Sequence, residues 1–511
     1  MQKFRQHPIL ILLIINMVVG LLTFRNYGLS WDEPLYYEYG QASRYAYSIS
    51  ARLDGTFDIE KSFGASAADH VTRGPAYLLI AGVFENALEF LGLDLASAWH
   101  LTNFLTFQVG LIFFYLLIRR WLEVWPAVVS TAFFATQPVL WNHAFINPKD
   151  IPFAVFFLIS VYLGFRMVDG WGQAPQNNNV IITSTILPGI LLGLTTDIRF
   201  LGPYAGLLIF IFFLSTKNWK LLWGFLPYSL VALATIYIFW PFLWPDAIER
   251  FIFVLQAMGA ASSNLKILFM GNLYPAYDLP RRYFPVMLAY TLTEPAWPLF
   301  IIGTIIALKK AFRESRDRAR LLVILFWFGF VISSLIFLNP PNSDGYRHYL
   351  FMLPPVFIFS GFAINEIFVR INNNLVRTLI LIALLAPAVI ANIALHPYQY
   401  AYYNTFAGGT RNAFRQFETD YWLTCYKEAV QGFDQQDVQL FVKREPYIAE
   451  YYANENITIR DYRTEFNEIR SGDFVLVNTR ANEDINTFKN DPVVLTIQRA
   501  GAVFCVIKQV P

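Results

Sequence analysis

The sequence predicts a mostly α, polytopic transmembrane helical bundle with a small α/β domain at its C-terminal end. Three observations predict it. Hydrophobic residues make up 56% of the 511 and charged residues only 15%, against roughly a quarter charged in soluble proteins, and mean hydropathy is +0.40. Apolar runs of spanning length recur along the first 395 residues, parted by short polar loops. Past residue 396 they give way to short segments of strand and helix character. Spanning segments must be helical because hydrocarbon cannot satisfy an open backbone. The net charge of +2 gives no electrostatic footprint for nucleic acid.

The first run, 8–24, follows Lys3 and Arg5, and no small-residue cleavage site comes after it. It predicts an uncleaved helix with a cytosolic N-terminus. Further runs lie at 75–93, 101–118, 124–143, 151–168, 180–196, 200–215, 221–240, 285–308, 321–338, 349–368 and 376–395. The linker "KKAFRESRDRAR", 309–320, holds six Lys or Arg and is the strongest cytosolic mark. Arg119 and Arg120, Arg166, Lys217 and Lys220, and Arg370 with Arg377 mark other linkers. The run 75–93 carries Glu85 and Glu89, each costing about 2.5–3.5 kcal/mol in hydrocarbon. It is expected to lie in the membrane plane or re-enter from the outer face. Every basic linker then falls inside, which predicts about eleven spans and an outer C-terminus.

The outer side thereby receives 25–100, the "NPKD" turn at 147–150, "TTDIRF" at 195–200, the loop 241–284, "NPPNSDGYRHY" at 339–349 and everything past 396. Two domains are expected, 1–396 in the membrane and 397–511 outside it. In the second, "VQLFV", "FVLVNT", "VVLTI" and "AVFCVI" predict strands, and "EAVQGF" and "PYIAEYYA" predict helices. Cys425 and Cys505 both fall there, and a disulfide and two unrelated thiols fit equally well.

The chemistry concentrates in these outer segments. "NYGLSWDEPLYYEYG", 26–40, sets Asp32 and Glu33 side by side ahead of Pro34. Either Asp32 or Ser30 caps the helix that follows, or a carboxylate serves as general base at the interface. Asp150 stands in a tight turn beside Lys149 and ahead of Pro152, as a cap or as a second carboxylate facing Asp32. Arg73, Arg199, Arg347 and His348 are basic groups on the outer side. They either snorkel or together clamp an anionic head group such as phosphate. Asp197 and Asp344 either orient the neighbouring Arg or neutralise it. No P-loop, GxSxG, HExxH or Cys/His zinc spacing is present, which argues against ATP-driven pumps and the commoner hydrolases.

The order of these features resembles the GT-C superfamily of membrane glycosyltransferases, and within it the protein O-mannosyltransferase and bacterial aminoarabinose transferase branches. The matching marks are Asp32–Glu33 after the first span, Asp150 in a later outer loop, and "RGP" at 73–75. "YDLPRRYFPVMLAYTLTEP" (277–295), "DGYRHYLFMLPP" (344–355), "HPYQYAYYNTFAGG" (396–409) and "DYWLTCYKEA" (420–429) resemble later segments of a bacterial subgroup. The resemblance implies a GT-C-like bundle that transfers a sugar from a polyprenyl-phosphate donor. The acceptor would be a hydroxyl or amine on a glycan, lipid or protein. By resemblance Asp32 is the catalytic carboxylate, Glu33 its supporting neighbour, Asp150 the second-loop acid and Arg73 the lipid-phosphate contact. Arg199, Arg347 and His348 extend that clamp by charge and side. The eukaryotic β-trefoil insert has no counterpart, since no outer loop before 396 is long enough.

The phosphate leaves readily, so a single inverting displacement is expected, in a multi-pass protein of the bacterial inner membrane facing the periplasm. No cofactor is implied, the alternative being a divalent cation held by Asp32, Glu33 and Asp150. A transporter or flippase for the lipid-linked sugar is the rival class. It would want ionisable residues in mid-span and paired repeats, neither of which the chain displays.

Overall fold

The computed structural model describes residues 8–65, 70–173, 177–260, 265–313 and 315–511. Each run expected to span is helical. Seven of the described helices are long and apolar enough to cross a membrane: Ile9–Asn26, Leu95–Ile118, Asp150–Gln173, Asn178–Ile198, Trp219–Phe239, Asp317–Leu338 and Asn374–Ala394. An eighth forms if Tyr283–Thr291 and Ala296–Arg313, bent by 101°, count as one span. The expected eleven are thus not reached on length and composition. The shortfall comes from breaks. Pro138 opens a separate short helix after Val124–Ala135, Pro203 starts a helix of 13 residues, and Pro354 starts Pro354–Arg370 after a 3-10 turn. Proline lacks the N–H that would continue the preceding helix. Ala76–Phe90, inside the 75–93 run, has 15 residues and is not among the seven.

Asp150–Gln173 is the most enclosed span and packs against Leu95–Ile118 and Asn178–Ile198. Ile9–Asn26 and Asn374–Ala394 stand at the periphery with Leu22, Ile14, Ile390 and Ile393 exposed. Such apolar exteriors suit lipid and would be costly in water. Helices approach closely where a small residue allows it. At Gly303 the carbonyl of Phe359 sits where a Cβ would stand, which lets Ala296–Arg313 lie against Pro354–Arg370.

The C-terminal region holds a five-stranded sheet. Its strands are β3 (Val438–Val442), β4 (Ile457–Asp461), β5 (Phe474–Asn478), β6 (Val493–Arg499) and β7 (Ala502–Gln509), in the order β4-β3-β5-β7-β6. β3 runs parallel to β4 and β5, while β7 runs antiparallel to β5 and β6. The two-residue side-chain period splits the strands between faces. Leu440, Val442, Leu476 and Ile507 join the core that runs on into the helical bundle, and Phe441, Val475, Val477 and Val506 form a separate cluster. No strand was expected at "NITIRD", where β4 falls, nor in the outer loop 241–284, where β1 (Lys266–Phe269) and β2 (Asn272–Pro275) form a hairpin. Cys425 and Cys505 form a disulfide that ties the helix Tyr426–Gln431 to β7.

The C-terminal region grips the segment ahead of the acid pair. The Trp31 N–H donates to the Trp422 carbonyl at 3.2 Å, the Leu29 N–H to the Tyr452 hydroxyl at 2.9 Å, and the Tyr447 hydroxyl to the Trp31 carbonyl at 2.7 Å. Elsewhere, Arg120 and Arg320 from two of the basic linkers bind the same Asp169. These linkers share one location, apart from the acid pair.

Candidate active site

Asp32 stands at the N-cap of Glu33–Arg44, with Pro34 in the first turn. Proline suits that turn because its missing N–H has no partner there anyway. The Asp32 carboxylate nevertheless caps nothing. The neighbouring Glu33 is the tied carboxylate. Its carboxylate reaches back to accept the Ser30 N–H at 2.6 Å, accepts the Tyr37 hydroxyl, and lies 3.1 Å from His100 Nε2. The Ser30 hydroxyl turns away to the Ile146 carbonyl at 3.0 Å. Glu33 is therefore wholly buried and held on three sides, while the Asp32 side chain keeps 28% of its surface open.

The same division occurs at 147–150. Asn147 Oδ1 accepts the N–H groups of Lys149 at 3.1 Å and of Asp150 at 2.7 Å. This Asx turn starts the helix and relieves Asp150 of capping. The Asp150 carboxylate binds Arg199, and its other oxygen accepts Asn147 Nδ2 at 2.7 Å.

Arg347 joins the two acids. Its Nη1 donates to Asp32 Oδ2 at 2.9 Å and lies 3.7 Å from Asp150 Oδ2. Its Nη2 lies 3.4 Å from Asp344 Oδ2, and its guanidinium stacks 4.3 Å from the Trp422 ring centroid. On the other flank, Arg73 Nη1 and Lys149 Nζ both donate to the Tyr36 hydroxyl, at 2.7 and 2.9 Å. Arg73, Arg199, Arg347, Asp32 and Asp150 thus meet in one place, although 315 residues separate Asp32 from Arg347.

Asp197 does not orient Arg199. It accepts the Ala76 N–H at 2.7 Å and so caps the helix Ala76–Phe90. "RGP" requires its glycine for this reason, because a Cβ at Gly74 would collide with the Asp197 carboxylate. Asp344 does contact its Arg, which fits both expected readings, and is shared with a second one. Lys149, Tyr36, Trp422 and Arg480 complete the cluster and were not singled out from the sequence. Lys149 carried a usable signal, being basic in the same expected outer turn as Asp150. The others are set in place only by packing.

The electrostatics follow from crowded cations in a buried setting. Burial alone would raise the Asp32 carboxyl, but Arg347 first, then Arg73 and Lys149, hold it below its ordinary range. Burial, with Arg73 and Arg199, pushes Lys149 well below the lysine range. Burial and the charges of Arg347, Arg199, Lys149 and Arg73 drive His348 far below the imidazole range. His348 is thus neutral, and offers an N–H rather than a charge. The cations outnumber the two acids they surround, which suits a bound anion. Glu33, Asp32 and Asp150 do not fit a divalent cation. The Glu33 oxygens face Ser30, Tyr37 and His100, and Asp32 and Asp150 are each held by arginine. Among the described residues no group of three or more His, Cys, Asp or Glu is placed to hold a metal.

No family model matches the chain, and no curated protein matches it in sequence. Solved structures do match. ArnT from Cupriavidus metallidurans in the apo state superposes with a TM-score of 0.50 at 13% identity, over 98% of this chain and 97% of that one. The same protein bound to undecaprenyl phosphate gives the same values, 0.50, 13%, 98% and 97%. The Archaeoglobus fulgidus oligosaccharyltransferase in the apo form gives 0.51 at 12% identity, over 94% of this chain and 70% of that one. The chain shares the overall fold of these two proteins. A shared fold at this identity describes the bundle and its connections, and the chemistry rests on the site.

Proposed function

We propose that the chain is an integral-membrane glycosyltransferase. It moves a sugar from a polyprenyl-phosphate donor to a hydroxyl or amine of a glycan, lipid or protein, on the non-cytosolic face of a bacterial inner membrane. One observation carries this reading. Asp32 is an ionised, partly open carboxylate set beside Arg347, Arg73, Arg199 and Lys149 at an end of a GT-C-type bundle. The ArnT structure bound to undecaprenyl phosphate supports a lipid phosphate as the anion. The topology of about eleven spans and the outer placement of 397–511 belong to the same proposal and rest on the basic linkers.

The acceptor oxygen or nitrogen attacks the anomeric carbon, and Asp32 takes its proton as the new bond forms. The bond from the anomeric carbon to the phosphate oxygen breaks, and its electron pair leaves with the polyprenyl phosphate. Arg73, Arg199 and Arg347 stabilise the charge growing on that oxygen, most strongly where water is scarce. The sugar inverts. Asp150 holds Arg199 and steadies Arg347 without touching the reacting atoms.

Purified protein in vesicles, given radiolabelled polyprenyl-phosphate sugars and a membrane glycolipid extract, should move label into the extract. Asp32→Asn should lower turnover by about 10²–10⁴-fold while still binding undecaprenyl phosphate. Near-normal turnover in that variant overturns the assignment of the base. Label crossing the bilayer without any transfer overturns the enzyme reading in favour of a flippase.

A further inference from the structure

The acid pair and its arginine belong to the helical bundle, yet the ion pairs that set them do not end there. Asp344, fully buried, has one oxygen 3.4 Å from Arg347 Nη2 and accepts Arg480 Nη2 on the other at 2.6 Å. Arg480 lies just past β5 in the C-terminal sheet and is only 2% exposed. Its Nη1 donates to the Tyr421 carbonyl at 3.3 Å, and its guanidinium lies 5.3 Å from the ring of Trp31, the residue before Asp32. Charges thus alternate in sign from Arg480 to Asp344 to Arg347 to Asp32.

The backbone holds this arrangement under strain. Asp344 has φ 61°, and Ala481 and Asn482, directly after Arg480, have φ 52° and 57°. Left-handed conformations are costly for a residue with a Cβ, most of all here for Ala481 and less for Asp344 and Asn482. They persist because they are tied down. The Glu418 carboxylate accepts the Ala481 N–H at 3.2 Å and the Leu268 N–H at 2.8 Å, and the Tyr283 hydroxyl accepts the Gly345 N–H at 2.9 Å. Strain kept on both sides of one ion pair points to a requirement for that pair.

We infer that Arg480 is a positioning residue for the general base: by binding Asp344 it keeps Arg347 directed at Asp32, so that the C-terminal domain completes the active site. The physical reason is competition. Asp344 is shared by two arginines. Without Arg480 its whole charge draws on Arg347, and Asp32 loses part of the cation that keeps it ionised. The titratable and charged groups facing Asp32 are Arg347, Arg73, Lys149, Tyr36 and Tyr447, with Asp150 reached through Arg347. Of these only Arg347 touches Asp344. Removing Arg480 therefore raises the Asp32 pKa, whereas removing Asp344 lowers it.

This inference rests on the glycosyltransferase reading for its meaning but has its own readout. Carbodiimide modifies protonated carboxyls, and the extent of Asp32 labelling against pH in the full-length protein, read by mass spectrometry, reports its ionisation without any transfer. Arg480→Gln should move the labelling midpoint up by about half a pH unit, below the range for loss of a directly paired opposite charge. Arg480→Lys should restore most of the shift, and Asp344→Asn should move the midpoint the other way. In transfer, the acid limb of Arg480→Gln should move up with the labelling midpoint, while the KM for donor stays unchanged. If Arg480→Gln melts normally and the midpoint stays at the native value, the inference is overturned. If Arg480→Gln does not fold, the double variant Arg480→Gln, Asp344→Asn, which leaves no unpaired Asp344 charge, is compared with Asp344→Asn alone: equal midpoints uphold a relay through Asp344, and a higher midpoint in the double variant overturns it. Shifts of the expected signs in a protein that transfers nothing uphold the positioning role and overturn the glycosyltransferase reading instead.

Discussion

Asn147 caps the helix that Asp150 begins, accepting the Asp150 N–H at 2.7 Å, and its own amide donates to the Asp150 carboxylate at 2.7 Å. One side chain therefore both starts the helix and aims the acid. Asn147→Ala should cost about 0.5–2 kcal/mol, the range for a lost cap. It should also lower transfer, because the Asp150 carboxylate is then free to turn to the bare N–H groups and release Arg199. Thermal melting in detergent together with transfer assays checks this. Lost stability with unchanged transfer would confine Asn147 to the fold.

Arg347 holds the Asp32 carboxyl below its ordinary range against the burial that would raise it. The base is ionised above its lowered pKa, so transfer should persist below about pH 3.9, where an unperturbed Asp is half protonated. It is lost only as pH falls through the depressed value. Arg347→Gln removes the cation, raises the Asp32 pKa and moves the acid limb of the pH–rate profile upward. A drop in turnover of about 10²–10³-fold should accompany it, as for other preorganised donors. An acid limb that stays in place would show that Asp32 does not govern it.

Glu33 sits beside Asp32, the proposed base, with its own carboxylate tied to neighbours. Glu33→Gln disturbs buried contacts to Ser30, Tyr37 and His100, and should destabilise the protein by about 1–3 kcal/mol. The acid limb of transfer should not move. A shift equal to that of Arg347→Gln would assign the proton to Glu33.

Gly74→Ala should be damaging although the position lies in a turn. The added methyl has no room beside the Asp197 carboxylate that caps Ala76–Phe90. Overpacking of this kind costs about 1–3 kcal/mol, and here it displaces Arg73, one residue away. The KM for a polyprenyl-phosphate donor should rise more than kcat falls. An unchanged KM would separate Arg73 from the phosphate.

The sequence by itself determined which apolar runs are helices, because apolar length and composition are local properties; the helix Ala247–Ala260, inside the expected loop 241–284, was missed. It also determined four of the five strands of the C-terminal sheet, where alternation and β-branched residues mark them; "NITIRD" was missed because its polar residues hide the pattern. It set the acids and cations on one expected face through the basic linkers. It could not say whether Asp32 and Asp150 cap their helices or keep their carboxylates for other partners, since both suit either use equally. Tertiary structure decided that they do not cap. Asn147 satisfies its helix start, Glu33 is tied to Ser30, Asp197 is claimed by the Ala76 amide, and Arg347 crosses 315 residues to Asp32. Capping can be read from a few neighbouring residues, but an ion pair exists only where packing brings distant side chains within reach, and that distance is written nowhere in the local pattern.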